Sequence, residues 1–308
     1  LPAKPTPAKP TPAKPSAARQ KEQKEQKDKT RLAVRKTYKL FIGGAFPRSE
    51  SGRSYVVNDS KGNFLANASW ASRKDVRDAV VAARKAFGGW SGKTAYNRAQ
   101  ILYRIAEMLE GRRGQFAEEL RASGVRNPDA EIDAAIDRWV WYAGWADKLA
   151  AVLGSANPVA GPFFNISSPE PSGVVGVLAP ASAPLLGLVS VLAPAIVSGN
   201  TVVVVADSPL VAVTLAEVLA TSDLPGGVVN ILTGRFAELA PWLAGHLDVN
   251  GIDLAGASEE LAIACERAAA GNLKRVIRPS VTDWNEDPGM ARMTAFLETK
   301  TVWHPIGV

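Results

Sequence analysis

From residue 173 onward the chain alternates two patterns. Short runs that are apolar at nearly every position fall at 173–178, 201–205, 228–232 and 251–254. Between and after them, residues 185–197, 209–221, 237–243 and 259–270 read as helices. Apolar strands separated by helices predict a parallel sheet covered on both faces, with right-handed crossovers.

The first half reads differently. Residues 38–46, with Gly43-Gly44 inside them, read as strand, glycine turn, strand. Tyr55-Val56-Val57-Asn58 and Leu65-Ala66-Asn67-Ala68 add short strands around a turn at 59–63. Ser72 is placed to cap a helix, with Asp75 completing a capping box. Val76, Ala79, Val80, Ala83 and Phe87 give that helix an apolar stripe, and Gly88-Gly89 are expected to end it. Residues 97–102 and 116–122 read as further helices, the second stopping at Ser123-Gly124. Residues 130–149 read as one long amphipathic helix with Ile132, Ile136, Trp139 and Ala143 on one face. Its aromatic residues Trp139, Trp141, Tyr142 and Trp145 are expected in the core or at a subunit contact.

The N-terminal segment changes how the charge is read. Residues 1–15 repeat a Pro-Ala-Lys-Pro-Thr unit, and 20–29 are Lys, Glu and Gln without an apolar stripe. Neither can form a packed core, so residues 1–37 are expected to be a disordered basic tail. The whole chain of 308 residues carries +6. Residues 1–39 hold 12 Lys/Arg against 3 Asp/Glu, an excess of 9, which leaves the remainder at −3. The basic balance thus belongs to the tail, and nucleic acid is not the expected partner: no aromatic residue precedes Tyr38 to stack on a base.

The apolar stretch at 174–205 is broken by Pro180, Pro184, Pro194 and the Ser198-Gly199-Asn200 turn, so no membrane span is expected. An N-terminus without an apolar leader points to a cytoplasmic protein. The single Cys excludes an intrachain disulfide and a multi-Cys metal site, and no metal is expected.

Several longer stretches resemble the aldehyde dehydrogenase superfamily. Glu170-Pro171-Ser172-Gly173-Val174-Val175-Gly176 is similar to its E-P-x-G-V-V-G motif. Residues 193–203, from Ala193-Pro194-Ala195 through Ser198-Gly199-Asn200-Thr201, are similar to A-P-A-L-A-A-G-N-T-V-V. Leu224-Pro225-Gly226-Gly227-Val228-Val229-Asn230 is similar to P-P-G-V-V-N, and His246-Leu247-Asp248-Val249 to H-P-D-V-D. Residues 293–303 resemble the family's C-terminal M-x-x-Y-T-x-x-K-T-V-W segment. The resemblance implies an α/β fold: a doubly wound (Rossmann-like) parallel sheet as NAD-binding domain over 38–280. Residues 281–308 would be a linker and a C-terminal oligomerisation strand, carried by Phe296, Leu297, Thr299, Thr301, Val302 and Trp303.

The resemblance also implies what is missing. The family's P-W-N, whose Asn holds the oxyanion, falls on Ala179-Pro180-Ala181-Ser182. Its ribose-binding Lys falls on Val205, and its F-T-G-S phosphate contact on Leu254-Ala255-Gly256-Ala257. The general-base motif E-L-G-G has become Arg278-Pro279-Ser280-Val281. The catalytic domain with the nucleophilic Cys should then follow, but only a short polar link leads to Met293. Cys265 sits mid-helix without the family's surroundings and reads as a structural residue; His246 and His304 are far apart in sequence and do not suggest a Cys–His pair.

No catalytic residue is therefore assigned. Asp207, Ser208, Gly256 and Ser258 are the remnants of a cofactor site; no cofactor is expected, with NAD the one to test. The reading is a pseudoenzyme, similar to the truncated second module of the family 16 aldehyde dehydrogenases. It would assemble with a full-length paralogue, or with itself, by strand addition. The alternatives are an active NAD-dependent aldehyde dehydrogenase and a dinucleotide-binding regulatory module.

Overall fold

The computed structural model describes residues 35–307. The tail expected at 1–37 lies outside the described residues, apart from its last three positions. The described chain opens with strands β1 (Thr37–Tyr38), β2 (Ser54–Asn58) and β3 (Phe64–Ser69). They form a sheet of order β1-β3-β2, with β1 parallel and β2 antiparallel to β3. The strand–turn–strand expected at 38–46 shrinks to one bridge, Ile42 to Ala45. Phe41 instead exchanges backbone hydrogen bonds of 2.9 and 2.7 Å with Ile231. The cause is the adjacent buried pair Leu40 and Phe41, which enter two different core clusters. An isolated hairpin cannot bury both faces; the end of a doubly covered sheet can.

Helix α1 (Arg73–Ser91) carries the expected capping box of Ser72 and Asp75. It does not stop at Gly88-Gly89 but runs through them to Ser91. Trp90 decides this: it is fully buried and its Nε1 donates to the Ile196 carbonyl at 2.9 Å. Burying an indole, roughly 200 Å² at about 25 cal/mol per Å², contributes on the order of 5 kcal/mol. Two helical glycines cost about 2 kcal/mol together, so burial wins. Helices α2 (Ala95–Glu110), α3 (Arg113–Ala122) and α4 (Pro128–Trp145) follow. The long helix expected to reach residue 149 ends at Trp145, and a short α5 (Leu149–Leu153) resumes after a turn. Trp139 and Tyr142 are fully buried in the core.

Two strands have no counterpart in the sequence reading: β4 (Ser155–Asn157) and β5 (Phe163–Pro171). From there the alternation is as expected: β6 (Val174–Leu178), α6 (Leu186–Val197), β7 (Thr201–Ala206), α7 (Pro209–Ala220), β8 (Val229–Thr233), α8 (Phe236–Gly245), β9 (Gly251–Asp253), α9 (Glu259–Ala269) and β10 (Arg275–Ile277). A short α10 (Ala291–Ala295) leads into β11 (Leu297–Pro305). Strands β10-β9-β6-β7-β8 form one all-parallel sheet.

The valines sort by strand parity. Val175, Val177, Val202 and Val204 belong to the core shared with α2, α3, α4, α6 and α7. Val174, Val203 and Val205 belong to the core shared with α1, α8 and α9. β6 throughout and β7 after Thr201 are apolar because each face has its own helical layer. In chain order the strands lie third, second, first, fourth, fifth, the doubly wound arrangement with its reversal between β6 and β9. Among the described residues no helix is long and apolar enough to cross a membrane.

Candidate functional site at the carboxyl edge of the parallel sheet

In open sheets of this kind ligands bind beyond the carboxyl ends of the strands, where the strand order reverses. Here that point lies between Leu178 of β6 and Asp253 of β9. Backbone crosses it. Gly256 N–H donates to the Leu178 carbonyl at 3.0 Å, and a Cβ at Gly256 would lie 2.2 Å from the Ala179 carbonyl oxygen. Only glycine permits this approach of the loop after β9 to the end of β6.

The helix N-termini on this edge would be the natural anion receptors. The first, that of α6, is already taken: the Glu131 carboxylate on α4 accepts from Leu185 N–H at 2.8 Å and Leu186 N–H at 3.3 Å. At α9 the Ser258 hydroxyl accepts from Leu261 N–H, and Glu259 and Glu260 fill the first turn. Two carboxylates there repel a phosphate that the dipole alone would attract. At α7 Ser208 makes no capping bond through its side chain, and Pro209 removes one donor from the first turn.

Of the expected site residues, Asp207 and Ser208 follow β7, while Gly256 and Ser258 follow β9, with β6 between them. Two strand spacings, about 10 Å, separate the pairs. Asp207 acts on Tyr55 of β2, whose hydroxyl is pushed up to about 12 by burial first and by the Asp207 charge second. Val205, at the position where the resemblance implies a ribose-binding Lys, is wholly buried in the core. The four expected residues thus lie along this edge as two separate pairs rather than at one point.

The segment after β10 adds a cover that the sequence reading missed. Trp284 is only 7% exposed. Its Nε1 donates to the Ser182 hydroxyl at 3.2 Å, and it stands against Gly187 in the first turn of α6. Behind it the Arg292 guanidinium lies 5.3 Å from the indole centre and is ion-paired with Asp253, a carboxylate 1% exposed at the end of β9. Asp253 also accepts from Ala255 N–H at 3.0 Å, which sets the loop that carries Gly256. Arg138 of α4 donates to the Trp284 and Glu286 carbonyls at 2.7 and 2.9 Å, tying the segment to the helix layer. The available sequence signal was Trp284 itself, an indole in an otherwise polar link.

The one thiol does not face this edge. Cys265 is fully buried in α9, and burial pushes its thiol up to about 11, so it is a protonated thiol at neutral pH. Arg278, in the place of the general-base motif, is engaged by Glu259 and Glu266 at 2.8 and 3.0 Å. Among the described residues no group of His, Cys, Asp and Glu could hold a metal ion.

The C-terminal strand is a second surface. β11 pairs antiparallel with β5 along its whole length, from Leu297 opposite Pro171 to Pro305 opposite Phe163. The sheet order is β11-β5-β4, so the other edge of β11 has no strand beside it among the described residues. Thr301 shares a hydroxyl hydrogen bond of 2.9 Å with Ser167. Trp303 packs edge-on against Phe163 and remains 58% exposed, with Thr299 and Val302 exposed beside it. Phe296, expected with these residues, is instead buried at 2%. A Cβ at Gly251 would fall 2.5 Å from its ring, and its carbonyl accepts from Asn200 Nδ2 at 3.0 Å. It anchors the strand rather than presenting it.

A family profile described as "Aldehyde dehydrogenase family" matches residues 46–278. Aldehyde dehydrogenase, cytosolic 1 of Elephantulus edwardii is 34% identical over 257 residues, which is 80% of this chain and 50% of that protein. Cytosolic 10-formyltetrahydrofolate dehydrogenase of Mus musculus is 33% identical over 262 residues, 82% of this chain and 29% of that protein. The solved NAD+ complex of an aldehyde dehydrogenase from Bacillus cereus is similar with a TM-score of 0.73 at 27% identity, covering 78% of this chain and 50% of that one. The chain thus spans half or less of the length of these relatives. The matched residues run from the first sheet to the end of β10 and take in the whole parallel sheet, and by that match the chain belongs to the aldehyde dehydrogenase family.

Proposed function

We propose that this chain is a non-catalytic, cytoplasmic member of the aldehyde dehydrogenase family that assembles with a full-length aldehyde dehydrogenase through the outer edge of β11. The observation that carries this reading is the filled carboxyl edge. Glu131 occupies the α6 terminus, the loop of Gly256 crosses to the end of β6 and Trp284 covers the loop where an oxyanion-holding Asn would stand. Catalysis in the family requires a thiolate, a base and an amide converging there; the one thiol is buried in α9, and the carboxylates at this edge, Glu131 and Asp253, are engaged by backbone N–H groups and by Arg292.

The edge of β11 supports the assembly role. A nine-residue strand with one open edge and exposed Val302 and Trp303 is a template for an added strand. This is the arrangement expected of a truncated second module of the family 16 type. The chain should co-purify with a full-length paralogue when the two are co-expressed. The double change Val302→Glu, Trp303→Glu should abolish that capture while leaving the thermal midpoint within a few degrees, because β5 still holds β11. Capture that survives the double change would refute docking at this edge, and self-association through it would appear as a mass increase that the same change removes.

The name of the Bacillus cereus complex favours a second reading, NAD binding. It requires the cofactor to be held without the α6 terminus, and calorimetric titration with NAD and NADP separates it from the first.

A further inference from the structure

A cavity of about 190 Å³ lies between α4, α6 and residues 281–288. Its inner wall is formed by Arg138, Tyr142, Ser190 and Arg292. Tyr142 is wholly buried and its hydroxyl, beside a guanidinium that can only donate, has no acceptor. Such an orphaned group costs about 1–3 kcal/mol, so an acceptor is missing. Arg138, 8% exposed, lies beside it. Its bonds go to neutral acceptors only: Ser190 Oγ at 3.0 Å and the Trp284 and Glu286 carbonyls. Among the described residues no carboxylate stands within ion-pair distance of Arg138. Arg292 is balanced by Asp253. Arg138 is therefore the guanidinium of the inner wall without a carboxylate against it, with the Asp287 charge acting on it from the rim.

The cavity has room for roughly six waters' worth of volume at about 30 Å³ each. Its rim carries Asp283, Glu286 and Asp287, all exposed. Asp283 accepts from Asn285 N–H and Asp287 from Gly289 N–H, each serving its own turn. A dianion would meet more repulsion from these three carboxylates than a monoanion held against Arg138. A flat two-oxygen acceptor also suits a guanidinium with a hydroxyl beside it.

We propose that this cavity is a binding site for a small monocarboxylate, held by Arg138 and Tyr142 with Arg292 supplying the second positive charge. The probe is sodium acetate, titrated calorimetrically into the full chain at fixed ionic strength with chloride as the replaced anion. Saturable binding of one acetate per chain is expected. Tyr142→Phe should weaken it about 10- to 100-fold, the loss of one hydrogen bond to a charged acceptor, with little change in the unliganded thermal midpoint, since that hydroxyl has no acceptor to lose. Arg138→Gln should remove binding; because that change also cuts three structural bonds, the Phe variant is the decisive one. Absence of saturation, equal affinity in Tyr142→Phe, or tighter binding of inorganic phosphate than of acetate would each overturn the assignment.

Discussion

Asp253→Ala is expected to destabilise the protein by about 3–5 kcal/mol, the cost of leaving a buried charge without its partner. Asp253 is 1% exposed and the Arg292 side chain 16%. Removing the carboxylate strands the guanidinium under Trp284, and it also frees Ala255 N–H, which fixes the loop behind Gly256. Arg292→Met alone should be similarly harmful, since it leaves the Asp253 carboxylate buried. The double change should cost clearly less than the sum, because an apolar pair of similar volume often replaces a buried ion pair with little loss. Urea unfolding of the four proteins measures this cycle. Simple additivity would mean that the pair is not coupled, and that the segment after β10 does not seal the end of β9.

Trp284→Ala should cost about 3–5 kcal/mol, the range for an aromatic removed from a packed site. The cavity left behind opens onto the 179–184 loop and the first turn of α6, and Ser182 loses its donor. Proteolysis should report the opening directly: cleavage within 278–290 should accelerate in the variant while the core helices stay protected. Trp284→Phe, which keeps most of the buried area but not the indole N–H, should retain more than half of the lost stability. If the alanine variant unfolds within about 1 kcal/mol of the parent protein, Trp284 is a surface residue in solution and the edge is open.

The parallel sheet was legible because its signal is local. Val202, Val203, Val204 and Val205 are apolar and β-branched in succession, which suits a strand covered on both faces. The Ser72 and Asp75 capping box was legible for the same reason. Where the reading failed, tertiary burial outweighed local preference. Trp90 carried α1 through two glycines, and Leu40 and Phe41 were drawn to opposite faces of a sheet that local pattern could not anticipate. β5 was invisible because Phe163-Phe164-Asn165-Ile166-Ser167-Ser168 lies mostly exposed in a three-stranded sheet and shows no clean alternation.

The candidate site was legible mainly through its missing pieces. Val205, Ser182 and Arg278 could be recognised as departures from the family's pattern position by position. What fills the gap could not: Glu131 is 54 residues from Leu185 in sequence and Trp284 is 102 from Ser182. Each reads alone as an ordinary helix-start acid or a stray aromatic, and only the fold brings them to one edge.

The filled carboxyl edge is expected to perform no aldehyde chemistry. The direct measurement is NADH formation by the purified chain with a panel of aliphatic and aromatic aldehydes, followed from pH 7 to pH 9 with Cys265→Ser alongside. Rates equal to the protein-free blank are expected for both proteins, since the one thiol is buried and holds its proton across that range. Aldehyde-dependent NADH formation that disappears in Cys265→Ser would contradict that expectation.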